Sequence, residues 1–262
     1  MVHCGIDPDR LPRLAFVHIP KTAGTSVTSA LQAVYGARSF PAMTTLDYQM
    51  YGTGSFDAYR FFKGHAYRRD YERLPPDTQL FTILRDPVRR TLSYYHYCRG
   101  LDVSNISDEY VLEAVQLART LPVVEFIYAG SPSLLEHVRL GQVRQFLPPA
   151  RLQQIGHREY LKRDVRRGVV EDFAVALRRF AYVLTTEVLP ISFPRMVARL
   201  GLPVAVGRLP RENMSCAVGD VDFADIRRAL VEVNAPEFEC YEIARQRELA
   251  WLATECDGAV SA

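Results

Sequence analysis

The chain has 262 residues, of which 48% are hydrophobic and 24% charged. That is a globular mix, and it excludes wholesale disorder, collagen and coiled coil. With 32 basic against 30 acidic side chains the formal charge is only +2, which excludes a general nucleic-acid coat but leaves room for a local anion site.

Leu14-Ala15-Phe16-Val17-His18-Ile19 is the first apolar run, read as a buried strand. It is too short for a secretory core and follows acidic residues, so a cytoplasmic protein is expected. Ser26 to Tyr35 reads as a helix closed by Gly36 at C′. Phe61-Phe62-Lys63 is a weaker strand, and Leu80 to Leu84 a second strong one. Asp86-Pro87 then supplies a cap and an N1 proline for a helix to about Cys98. The stretch from about 104 to 180 is expected to be mostly helical. One helix starts at Ser107-Asp108-Glu109 and another spans Val170 to Phe180. Tyr182 to Thr185 reads as a strand, and Ile191 to Leu200 as a helix stopped by Gly201. The tail offers two helices. One carries a core stripe of Phe223, Ile226, Leu230 and Val233, and the other runs from about Pro236 to Leu252. Strands alternating with helices predict an α/β fold, a central parallel sheet flanked by helices. No apolar stretch approaches the ~20 residues of a membrane span. The five scattered cysteines suit neither a disulfide framework nor a zinc site and read as reduced, mostly buried thiols. Asn213-Met214-Ser215 is formally a glycosylation sequon, without meaning unless the chain is secreted.

The sharpest chemical signal is His18-Ile19-Pro20-Lys21-Thr22-Ala23-Gly24-Thr25-Ser26, a loop between a strand and a helix. A helix N-terminus there presents unpaired N–H groups and a positive dipole end, an anion cradle. Gly24 permits close backbone approach. Thr22, Thr25 and Ser26 add hydroxyls, and Lys21 adds charge in a chain whose only other lysines are Lys63 and Lys162. The plainer alternative is a tight turn whose hydroxyls cap the helix. A Walker A loop has its lysine late, after a second glycine. Here Lys21 comes early, which disfavours an NTPase or kinase. Arg85 ends the strong strand at Leu84, where a guanidinium can fork onto phosphate, and Ser93 follows two turns into the next helix. Arg89 and Arg90 read as solvated or structural.

The first loop resembles the 5′-phosphosulfate loop of sulfotransferases, especially the branch that includes heparan sulfate 2-O-sulfotransferase and bacterial relatives. Leu84-Arg85-Asp86-Pro87-Val88-Arg89-Arg90-Thr91-Leu92-Ser93 resembles the family's 3′-phosphate motif. The resemblance implies a single sulfotransferase domain over residues 1–262. It also implies 3′-phosphoadenosine 5′-phosphosulfate (PAPS) as donor, adenosine 3′,5′-bisphosphate as product, and no metal. Lys21, Thr22, Ala23, Gly24, Thr25 and Ser26 would hold the phosphosulfate, with Arg85 and Ser93 on the 3′-phosphate. Gly64-His65 resembles the family's catalytic histidine segment, and histidine is suited to take a hydroxyl proton near neutral pH. If a carboxylate served instead, Asp70 or Glu72 would be the base. His18 reads as structural. Gly141-Gln142-Val143-Arg144-Gln145-Phe146-Leu147 resembles a segment of the acceptor cleft, in which Arg144 could meet an anionic acceptor or be a plain surface arginine. Leu209-Pro210-Arg211-Glu212-Asn213-Met214-Ser215 resembles the late loop over the nucleotide, implicating Asn213 and Ser215. The family's frequent proline after that serine is replaced by Cys216-Ala217. The acceptor would be a small molecule or glycan, with a carbohydrate hydroxyl favoured, a secondary-metabolite hydroxyl second and a tyrosine phenol third. The rivals are a kinase-like phosphoryl transferase, for which no Mg²⁺-binding set is visible, and a nucleotide-binding module without catalysis.

Overall fold

Four strands, β1 (Leu14–Val17), β2 (Phe61–Gly64), β3 (Gln79–Leu84) and β4 (Phe180–Thr185), make a sheet of order β2-β1-β3-β4. Every pairing is parallel, with Val17 opposite both Gly64 and Thr82, and Leu84 opposite Thr185. The computed structural model describes residues 7–41, 56–156, 163–204 and 222–258. Asn213 and Ser215 lie outside the described residues.

All of β1 and β2 and nearly all of β3 are buried, as continuous apolar runs sandwiched between helices require. One face packs Phe16, Phe81 and Leu184 against α1 (Gly24–Tyr35) and α9 (Leu189–Arg199). The other packs Val17, Phe62 and Val183 against α8 (Arg163–Leu177) and α10 (Phe223–Gly258). Each fully buried phenylalanine contributes about 1.5–3 kcal/mol by leaving water. Between β2 and β3 lies the short helix α2 (Arg68–Tyr71). After β3 come α3 (Pro87–Gly100), α4 (Glu109–Thr120), α5 (Val123–Tyr128), α6 (Pro132–His137) and α7 (Pro149–Gly156). Residues of α3, α4 and α5 form a third core with Ile226, Leu230 and Val233 of α10.

Two expectations need correction. The helix expected over 170–180 starts seven residues earlier and ends at Leu177. Its buried stripe begins at Val165 and Val169, where interleaved arginines hide the period, and Phe180 is drawn into β4 opposite Leu80. The two expected tail helices both form and meet at Asn234, whose non-helical backbone (φ −149°, ψ 29°), with Pro236 just after it, makes the kink between them inside α10. Phe223, expected in the core stripe, is 47% exposed at the helix start. The reading of the thiols holds at Cys98 and Cys240, which are free and buried.

A sheet with every strand parallel collects its C-terminal ends on one edge. The strand order reverses between β1 and β3, the topological position beside which ligands bind in such folds. His18, His65, Arg85 and Thr186 all emerge on that edge.

Candidate active site

The loop after β1 turns sharply. Lys21 and Ala23 both have left-handed backbones, with φ 71° and 64°. Ala23 sits at the N-cap of α1 without a side-chain cap bond, so no side chain from that position takes up the first-turn N–H groups of Gly24, Thr25 and Ser26. The hydroxyl of Thr22, expected to face a ligand, is instead buried and donates to the Ile19 carbonyl at 2.9 Å. It holds the turn. Thr25 is exposed and Ser26 buried.

Gly24 is required by contact. A Cβ there would fall 1.8 Å from His18 Nε2. The His18 ring lies between the loop and the next strand end, continuing a stacked column Phe81–Phe16–His18–His65 with centroid spacings of 4.6, 5.2 and 4.6 Å. His65 Nδ1 lies 2.9 Å from the His18 carbonyl oxygen. A carbonyl only accepts, so Nδ1 carries the proton and donates it, leaving Nε2 as the ring's proton acceptor. Burial lowers the His65 pKa below its ordinary value, partly opposed by this bond. The charges of Lys63 and Lys21 act on His18, whose pKa burial and neighbouring charges bring down to about 3.

Arg85 leaves β3 half-buried and donates from Nη1 to the Lys21 carbonyl at 3.3 Å, so the two basic motifs touch. Its own backbone is clamped by Gln142, which accepts from Arg85 N–H at 2.7 Å and donates to its carbonyl at 2.8 Å. Lys21 Nζ lies 4.0 Å from the centre of the Tyr97 ring on α3, a cation–π contact. Arg89, Ser93 and Tyr97 are spaced four apart, so Ser93 lies one turn from Tyr97 on the helix face that meets the loop. Asp86 caps α3 by accepting from Arg89 N–H at 3.0 Å.

Arg90 is structural and fully buried. It donates to the carbonyls of Pro20 at 3.2 Å and His137 at 2.7 Å, with Glu237 of α10 4.0 Å away. Gly141 leaves room for it, since a Cβ there would fall 2.6 Å from both terminal nitrogens. Glu237 also accepts from Gln142 Nε2 at 3.1 Å and from Asn234 at the α10 kink at 3.2 Å. This buried network ties Pro20 of the first loop and Arg85 of the second to the same distant helix.

The carboxylate alternatives are occupied elsewhere. Asp70 is buried and caps α2, accepting from Tyr67 N–H at 2.9 Å. Glu72 pairs with Arg68 at 2.8 Å and Arg179 at 3.1 Å. Arg144 lines an open cleft of about 380 Å³ with Tyr67, Arg68, Arg69 and Leu147. The Tyr67 hydroxyl donates to Glu136 at 2.8 Å. Burial, with that carboxylate, raises the Tyr67 phenol to about 12.

Sequence reasoning did not single out Tyr97, the Gln142 clamp, Gln145, or the place of His18 beside His65. The glutamines lay inside a quoted segment, but nothing in their spacing marks their partners.

Three histidines, His18, His65 and His137, have pKa values lowered chiefly by burial, that of His137 to about 4. The unfolded chain therefore protonates first. Their contribution to stability is whole above about pH 6.5 and is lost as pH falls toward the lowered values, by up to about 1.4 kcal/mol per pH unit for each. Thermal melts should show Tm falling clearly between about pH 7 and pH 5. A flat Tm over that range would contradict the neutral burial of these rings.

Among the described residues no His, Cys, Asp and Glu group could hold a metal ion, and no helix is long and apolar enough to cross a membrane. The family model described as Sulfotransferase family matches residues 5–119, a span that takes in β1, β2, β3 and α3 with their loops. No curated protein matches the chain.

Proposed function

We propose that this chain, whose residues 5–119 match the model of the sulfotransferase family, is a sulfotransferase that moves the sulfuryl group of PAPS to an acceptor hydroxyl. The observation that carries the proposal is the convergence of Lys21, His65 and Arg85 on one loop, through the Lys21 and His18 carbonyls. The donor set fits a nucleotide with phosphates at both ends. The N-cap of α1 makes no side-chain cap bond, the Arg85 guanidinium reaches the loop just before it at the Lys21 carbonyl, and left-handed residues turn the loop backbone.

PAPS, when bound, supplies the sulfuryl group and the phosphate that leaves. Lys21 and the first-turn N–H groups would bear the charge that develops on the leaving oxygen. Arg85 and Ser93 would hold the 3′-phosphate and so fix the donor's direction. His65 would take the acceptor's hydroxyl proton on Nε2 as the oxygen–sulfur bond forms and the sulfur–phosphate oxygen bond breaks. The acceptor we favour is a carbohydrate hydroxyl presented through the cleft beside Tyr67. Arg144 would be its polar contact and Leu147 part of its apolar wall.

Adenosine 3′,5′-bisphosphate should raise the Tm while ATP with Mg²⁺ does not, and a clear preference for ATP–Mg²⁺ would defeat the reading. Arg85→Lys keeps the charge but loses the planar fork. It should weaken the bisphosphate about tenfold and leave adenosine 5′-phosphate almost unchanged, both read by calorimetry. Equal weakening of the two would move Arg85 away from the 3′-phosphate.

A further inference from the structure

We infer that Gln145 is a positioning residue that holds His65 in its proton-accepting form, acting through the His18 carbonyl. The inference rests on His65 as the base. Gln145 Nε2 donates to the His18 carbonyl oxygen at 3.2 Å, the same oxygen that receives His65 Nδ1–H at 2.9 Å. The oxygen has two lone pairs, and one donor comes from each side chain. Because a carbonyl cannot donate, the amide group of Gln145 has only one useful orientation, with nitrogen toward His18.

The anchor behind Gln145 is rigid. The residue is 6% exposed and lies in the 3₁₀ turn Arg144–Phe146. Phe146 is fully buried there against the rings of Phe173 at 4.9 Å and Phe180 at 5.3 Å. On the other side, His18 N–H donates to the Gly64 carbonyl at 2.9 Å. The backbone of His18 is thus gripped from β2 at its nitrogen and from the Arg144–Phe146 turn at its oxygen. Immediately after it the chain enters a turn with two left-handed residues, Lys21 and Ala23. Without the Gln145 bond, His65 is the remaining donor to this carbonyl among the described residues, and His65 in turn has a less fixed acceptor. Loosening that acceptor weakens the preference for Nδ1–H over the Nε2-protonated tautomer, which cannot accept a proton at Nε2.

One feature argues against a purely structural role. Gln145 Oε1 is buried with no hydrogen-bond partner among the described residues, a destabilising arrangement that an apolar side chain of the same length would avoid. The carboxamide contributes its donor where its acceptor costs stability.

The test is Gln145→Leu. Imidazole ¹⁵N spectra at about pH 8, above the histidine pKa values, identify the His65 signals by their loss in His65→Ala. Wild type should show His65 protonated at Nδ1, and Gln145→Leu should move signal toward the Nε2-protonated form. In turnover, kcat should fall about tenfold with the donor KM within about twofold. Adding Gln145→Leu to His65→Ala should cost nothing further. A wild-type His65 protonated at Nε2, an unchanged tautomer in the variant, or losses that multiply would each overturn the inference. If the leucine variant is unstable, Gln145→Met keeps the length without the donor and is read in the same way. A wild type without sulfuryl transfer would defeat the proposed function, while the nitrogen spectra would still decide the role of Gln145.

Discussion

Lys21→Ala is expected to lower kcat by ~10²–10³, the usual cost of removing one donor from a charge-stabilising site. Its ammonium reaches the Tyr97 ring rather than a carboxylate, and burial lowers its pKa. Among the described residues the side chain is thus held at the site by a ring, not by an anion that would compete with the leaving phosphate. Stability should barely change on substitution to alanine. Lys21→Gly is a sharper control, because glycine accepts φ 71° without the roughly 1–2 kcal/mol penalty that any other residue carries there. The glycine variant should therefore melt no lower than the alanine variant while being equally slow. Near-normal turnover in either would remove the ammonium from the mechanism.

His65→Ala should cost roughly 10²-fold or more in turnover while adenosine 3′,5′-bisphosphate still binds. Its ring meets the loop through the His18 carbonyl and ring, not through Lys21 or Arg85. The pH profile adds an independent check. A base acts only when unprotonated, so wild-type activity should fall as pH drops through the pKa of His65. Burial places that pKa below the ordinary 6.5, so the acid limb should lie on the acid side of that value. Calorimetric binding together with kcat across pH separates the possibilities. Lost binding with intact chemistry would make His65 a donor contact. An unchanged kcat would turn attention back to Asp70 and Glu72, although the first caps α2 and the second is shared by two arginines.

The parts of this site legible in the sequence are those whose signal is local. A buried run such as Leu80 to Leu84, followed at once by Arg85 and an Asp-Pro cap, announces strand end, cation and helix start within a few residues, and all three form. The loop after β1 was legible for the same reason, although the Thr22 hydroxyl turned out to serve the turn itself. What stayed hidden is carried by pairs far apart in the chain. Gln142 meets Glu237, Gln145 meets His18, and Arg90 meets Pro20 and His137. A polar residue in an apolar stretch can be marked as unusual, but its partner is chosen by the fold. Helix ends were read less well where charge hides the apolar period, as before Val169, or where a strand takes over, as at Phe180.

The Arg90–Glu237–Gln142–Asn234 network has a consequence for anyone reading a mutational scan of this chain. Losing Glu237 strands a fully buried guanidinium, a lesion of about 3–5 kcal/mol. The first things to shift would be the Pro20 carbonyl and the Arg85 backbone. A screen scored on product alone would therefore rank Asn234 and Glu237 beside Lys21 and His65, and their positions on α10 would look like a second catalytic region. Scoring abundance alongside activity separates the two groups, because lesions in α10 lower both and lesions at Lys21 or His65 lower only the second.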